Sequence, residues 1–252
     1  MTDTRLGPQR YFESIDADTE RLLEVAERGL DAPVPSCPGW QVADVVSHVA
    51  VVYEHKVRVM ADNGWPDPWP PAEFADREPL ELLRDAKTDL FDEFARHDMS
   101  EPTTTFSDDD STIAFWARRM ALEVAVHRVD VELAHDELTP VPDDLAVDGI
   151  DEILRVMLGG PWWDEQAEKT KHPVDATVAV EAGGHRWLCD LTASTVTISD
   201  DADSQAEATL TGDDPGALFL WLWGRAQDES IEILGDRTVA AEFRARMAEC
   251  SG

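Results

Sequence analysis

Apolar side chains at Phe12, Ile15, Leu22, Leu23, Val25, Ala26 and Leu30 recur at intervals that put them on one side of a helix over 11–30. Gly29 and Pro33 end it. A turn, PSCPGW, follows and holds Cys37, Pro38, Gly39 and Trp40. The next period predicts a helix over 41–62 with Val42, Val45, Val46, Val49 and Val52 along its apolar side. A third helix is predicted over 78–97 from Leu80, Leu83, Leu90, Phe91 and Phe94. Residues 111–137 contain neither Pro nor Gly and read as one long helix, with its N-cap drawn from Ser107–Ser111. Four helices of about five turns each, joined by loops, have the dimensions of a four-helix bundle. Between the second and third helices, NGWPDPWPPAEFADREP is barred from regular structure by its prolines, whereas Trp65, Trp69 and Phe74 call for burial. A loop packed over a pocket is the expectation.

A further helix is predicted over 143–158, and beyond Gly159 the period changes from helical to alternating. TVAVEA, RWLCDL, STVTIS and EATLTG are short, β-branched runs separated by Gly, Asp and Ser, and they predict antiparallel hairpins. A helix over 214–224, a short strand at 230–234 and a helix over 236–249 complete the pattern. The expected fold is therefore a helix bundle over 1–160 followed by a small α+β domain over 161–252.

Fifty-three acidic against 21 basic residues give a net charge of −32, a field that repels phosphate backbones and anionic lipid. Nucleic-acid and membrane-surface roles are excluded on that ground, and an anionic ligand needs a local cationic pocket. Cys37, Cys189 and Cys250 fit neither a disulfide framework nor a zinc knuckle. With no apolar signal core in MTDTRLGPQRYFES and no run of 18 apolar residues, a cytoplasmic protein, monomer or homodimer, is expected.

Candidate chemistry lies on the fourth helix. Glu123 and His127, four apart, project from one face and can ligate one divalent ion from a single rigid element. The same spacing occurs at Glu93/His97, where a histidine suits a helix C-terminus, at Glu168/His172 before a proline, and at Glu181/His185 across two glycines. Only Glu123/His127 sits mid-helix among apolar neighbours; a surface ion pair or a hydrogen-bonded core histidine is the bland alternative. A third ligand must come from a facing helix. His48 is the candidate, and His55, two turns on along nearly the same face, competes with it. Two imidazoles and a carboxylate form a catalytic-zinc donor set with one position left open. Asp130 is either an orienting partner of His127 or a surface charge.

CPGWQVADVVSHVA, followed some seventy residues on by ARRMALEVAVHRVDVELA, resembles the mycothiol-dependent maleylpyruvate isomerase family of actinobacteria, a group of DinB-like metal-binding bundles. LTGDDPGALFLWLWGR is similar to the family's second domain, which is like a sterol carrier protein. The resemblance implies zinc, or another divalent ion, on His48, Glu123 and His127, with mycothiol as thiol cosubstrate. It also implies an unsaturated carboxylate as substrate and a functional guanidinium at Arg225; Arg84, Arg118 and Arg119 are further candidates. Isomerisation or thiol transfer is the implied chemistry. The competing reading is a small-ligand or lipid binding protein with a vestigial metal site.

Overall fold

A computed structural model describes residues 4–160, 170–193 and 195–250, and divides the chain into two compact units. One is Gly7–Thr139; the other joins Met1–Leu6 to Pro140–Gly252. The division falls at 139/140, before the helix at 143, where the sequence placed it at 160. Glu168, of the Glu168/His172 spacing, and Ser194, at the head of the third strand run, lie outside the described residues, as does the stretch 161–169 just past the expected boundary.

The first unit is the bundle: α1 (Pro8–Ala26), α2 (Val42–Asp62), α3 (Pro79–Phe94) and α4 (Ile113–Ala134). Starts and stops follow local chemistry. Pro8 and Pro79 occupy first-turn positions where their missing N–H is no loss. Gln41 and Asp44 cap α2 reciprocally, and Asn63 at φ 47° ends it in the left-handed region. The cap expected from Ser107–Ser111 does not form. Thr112 takes the N-cap position of α4 and spends its hydroxyl on Asp110 Oδ1 at 2.7 Å.

Helix α1 packs on α4, and α2 packs on both α3 and α4. Ile15, Leu22, Val45, Val49, Leu83, Leu90, Met120 and Val124 are fully buried, each side chain contributing about 1.5–3 kcal/mol of apolar transfer. Tyr53 hydroxyl and Thr19 Oγ1 meet at 2.9 Å inside this core and tie α2 to α1. Helix α4 is buried on nearly every side, which is why it lacks the one-sided stripe of its neighbours. Its charged residues therefore need internal partners. Arg128 bonds Asp18 at 3.1 Å and Glu132 at 2.7 Å, while Glu132 also receives Arg21 Nε at 2.8 Å and the Thr139 hydroxyl at 2.7 Å.

In the proline-rich loop the expected burial is partial. Trp69 and Phe74 are half-buried against one another, but Trp65 is 51% exposed. A tilted contact with His55 and an edge-to-face contact with Trp116 cover only part of its ring.

The second unit begins with α5 (Asp143–Glu152), which runs on as a π-helical turn through Leu158. The sheet follows: β1 (Ala176–Ala182), β2 (His185–Leu191), β3 (Val196–Ser199), β4 (Ala208–Thr211) and β5 (Glu232–Gly235), in the order β3-β2-β1-β4-β5. Helices α6 (Pro215–Leu222) and α7 (Arg237–Met247) flank β5 in sequence. Gly183 and Gly184, at φ 56° and 78°, make the two-residue β1–β2 turn. The sheet is mixed where hairpins throughout were expected, because β4 pairs parallel with β1. Alternation with period two is the same for either direction, so it carries no information on polarity. Among the described residues no helix is long and apolar enough to cross a membrane.

Candidate metal centre

The PSCPGW turn fixes where α2 begins. Val34 N–H donates to Trp40 O, Val42 N–H to Ala32 O and Ala43 N–H to Leu30 O, with Gly39 at φ 90° allowing the chain to double back. Pinned this way, α2 presents His48 directly to α4. His48 Nε2 lies 3.2 Å from Glu123 Oε1, and His127 Nε2 lies 3.3 Å from the same oxygen. One ligand atom from each of the three falls within 4.8 Å of the other two. The imidazole rings meet edge to face at 4.8 Å between centroids, and the Trp40 ring packs on His48 at 5.3 Å.

These separations suit a metal. Four ligands at 2.0–2.1 Å around a tetrahedral zinc ion stand about 3.3 Å apart, the spacing each imidazole nitrogen already has from Glu123. The donor set also has the right chemistry: two imidazoles and one carboxylate, with His48 37% exposed and so open to an incoming group.

Surrounding groups hold the donors in place. Asp130 is fully buried and faces His127 Nδ1 at 2.9 Å, which directs Nε2 at Glu123. Ser36 Oγ donates to the other Asp130 oxygen at 2.5 Å, and Cys37 Sγ approaches the oxygen that faces His127 at 3.6 Å, so the turn before α2 braces α4. Arg119 bonds Glu123 Oε2 and leaves Oε1 for the histidines. Burial alone would raise the Glu123 pKa, but the Arg119 guanidinium and the two imidazoles hold it well below the usual carboxylate range. Burial works against charge on His127 too. Asp130 and Glu123, one at each ring nitrogen, override it and lift its pKa to about 9.

The structure brings together His48, Glu123 and His127, and makes Asp130 the orienting partner. His55 is elsewhere, between Trp65 and Trp69, and burial pushes its pKa down to about 4. Arg84 lies on the bundle exterior, paired with Glu27 at 2.5 Å. Arg225 belongs to the second unit, half-buried, with its guanidinium donating to Trp223 O at 2.7 Å. Arg118 is buried, and Arg119 serves Glu123. The remaining Glu/His spacings resolve differently: His97 bonds Glu93 at 2.9 Å, and Glu181 pairs with Arg186. Ser36 and Cys37 escaped the sequence reading because 94 and 93 positions separate them from Asp130. The Arg119–Glu123 pair was legible in its i, i+4 spacing.

Residues 12–132 match the family model of the mycothiol maleylpyruvate isomerase N-terminal domain, and residues 144–242 match that of the corresponding C-terminal domain. The chain belongs to the mycothiol maleylpyruvate isomerase family. Solved structures agree at the level of the fold. The crystal structure of the mycothiol-dependent maleylpyruvate isomerase superposes with a TM-score of 0.63 at 14% identity, covering 93% of this chain and 96% of that one. A point mutant of that enzyme gives the same TM-score and coverage at 13% identity. No curated protein matches the sequence significantly. Family membership extends over both units, so the helical unit and the mixed sheet are parts of one family architecture.

Proposed function

We propose that the chain is a metal-dependent enzyme that uses mycothiol to isomerise maleylpyruvate or a closely related unsaturated carboxylate. The observation that carries this is the convergence of His48, Glu123 and His127 at metal-ligand spacing inside a bundle of this family. When bound, a divalent ion such as Zn²⁺ and a low-molecular-weight thiol supply a thiolate that adds to a carbon–carbon double bond and departs after rotation.

The protein's own residues do the rest. His48, Glu123 and His127 would hold the ion, and Asp130 fixes which His127 nitrogen faces it. Arg119 keeps Glu123 ionised, so the carboxylate stays a ligand rather than a proton store. The protein's buried thiols are poorly suited to replace the external one. Burial pushes both Cys189 and Cys250 up to about 12, far from the thiolate form at neutral pH. Arg225 is proposed as a substrate-binding guanidinium on the family resemblance, whereas Arg84 is already neutralised by Glu27.

Lipid carriage finds no support in the second unit. Its cleft of about 770 Å³ is lined by Arg5, Asp151, Arg155, Arg186 and Asp200 along with Trp187 and Ala202, a mixed wall that fits a polar ligand better than an apolar chain.

The test is turnover of maleylpyruvate by zinc-loaded protein with mycothiol, followed by product analysis. Activity should vanish on chelation, return with zinc, and fall at least about a thousandfold in His48→Ala. Accumulation of a stable thioether in place of the trans isomer would make the enzyme a thiol transferase. Full activity in chelator would refute the metal-dependent reading.

A further inference from the structure

In so acidic a chain, basic side chains find carboxylates easily. Lys87 lies 2.6 Å from both Asp16 and Glu20, Arg119 is on Glu123, and Arg128 is shared by Asp18 and Glu132. Lys56 on α2 is different. No carboxylate pairs with it among the described residues. Its Nζ lies 3.0 Å from His55 Nδ1, 4.5 Å from the centre of the Trp116 ring and 5.9 Å from that of Trp65. An ammonium has three N–H donors, and a neutral imidazole accepts only one of them.

The lysine is half-buried, and burial, aided by Arg119 and opposed by Glu123, pushes its pKa down to about 8. Both of those charges belong to the metal centre, so Lys56 lies within its electrostatic reach. The sequence spacing agrees. His55 follows His48 by seven residues and Trp116 precedes Glu123 by seven, so each helix carries the triad face about 10 Å onward, to the lysine and its aromatic walls. A half-buried cation without a counter-charge is costly unless a ligand supplies one.

We propose that Lys56, framed by Trp65, Trp116 and His55, is the receptor for a carboxylate of the acidic substrate that reacts at the neighbouring triad. The assignment of the reacting substrate rests on the function proposed above; the assignment of a carboxylate site is independent of it. A −32 chain repels a diacid at long range, and a local unpaired ammonium is what lets one settle.

Titration with maleate, a non-reacting cis-dicarboxylate, followed by tryptophan fluorescence tests the site directly, because Trp65 and Trp116 border the ammonium. Wild type should bind maleate but not its uncharged diamide. Lys56→Met should bind at least about tenfold more weakly and Lys56→Arg within about threefold of wild type, both with unchanged zinc affinity. With maleylpyruvate as substrate, Lys56→Met should raise KM for the acid about tenfold and leave the KM for mycothiol unchanged. Equal maleate affinity in Lys56→Met and wild type, or no maleate binding by wild type, overturns the receptor. Maleate binding that depends on Lys56, in a protein that neither holds zinc nor turns over maleylpyruvate, would support the receptor and refute the catalytic reading.

Discussion

Zinc affinity should depend steeply on pH, and His127 sets the slope. In the metal-free protein its pKa is about 9, raised by Asp130 and Glu123 against the opposing effect of burial. At pH 7 the imidazolium therefore outnumbers the neutral ring by about a hundredfold, and zinc binds only the neutral ring. Displacing that proton costs about 3 kcal/mol at pH 7, since each pKa unit is worth about 1.4 kcal/mol. The cost shrinks to about half that at pH 8 and fades above pH 9. Competition against a chelator of known affinity between pH 6.5 and 8.5 measures it. The expected contribution is about tenfold tighter binding per pH unit, accompanied by release of close to one proton from His127. Calorimetry in buffers of different ionisation enthalpy counts that proton. Flat affinity over this range with no proton released would show that His127 is already neutral, or is no ligand, and the argument would fail.

Asp130→Asn, assayed at pH 8.5 where proton competition is weak, should loosen zinc by about 10–100-fold, since His127 loses its charged partner. Metal-free protein should lose the stability contributed by charged His127 as pH rises: present in full below the ordinary 6.5, it is lost as pH passes through 9, and thermal melts with and without zinc will show it. Glu132→Gln should cost about 3–5 kcal/mol by leaving Arg128 and Arg21 without their carboxylate. Burial opposes ionisation of Glu132, but the bonds from Arg21, Thr139 and Arg128 lower its pKa; its contribution is thus present above 4.5 and lost as pH falls through the folded value, a loss that denaturant titrations should find missing in the variant. Gly235→Ala should destabilise the second unit by about 2 kcal/mol or more, measured in urea, because φ is 82° and a Cβ would stand 2.3 Å from the Glu207 carbonyl oxygen.

What the sequence revealed of this molecule, and what it hid, divides along physical lines. Helices α1 to α3 are amphipathic, so one face names the core, and α4 betrays itself by an unbroken run free of Gly and Pro. Glu123 and His127 were legible because one helix fixes their mutual geometry. The choice between His48 and His55 was open on helical phase alone, because seven residues apart they share a face. What decides it is the axial position of α2 against α4, to which the turn before α2 is tied through Ser36 and Cys37 on Asp130, and periodicity cannot report such a position. Lys56 hid for a related reason. Beside Glu54 and Arg58 it reads as a solvated charge, and only the return of the proline-rich loop places Trp65 near it.

Helix α4 holds two clusters built on i, i+4 spacing in its buried stretch, one around Glu123 and one around Glu132, and their difference is the strongest internal argument for a ligand site. At Arg128 and Glu132 the donors and acceptors balance: the guanidinium ends on Asp18, Glu132 and Thr139, and both Glu132 oxygens receive protein donors. That cluster is complete as it stands. At Glu123 and His127 the arrangement converges. Two imidazole nitrogens from two helices address a single carboxylate oxygen, whose partner oxygen is already taken by Arg119. With protons alone, both rings must share that one acceptor oxygen. A single divalent ion, accepting a lone pair from each of the three atoms, satisfies all of them at once. Asp130, buried behind His127 and itself bonded by Ser36, holds the ring in the orientation that such an ion requires.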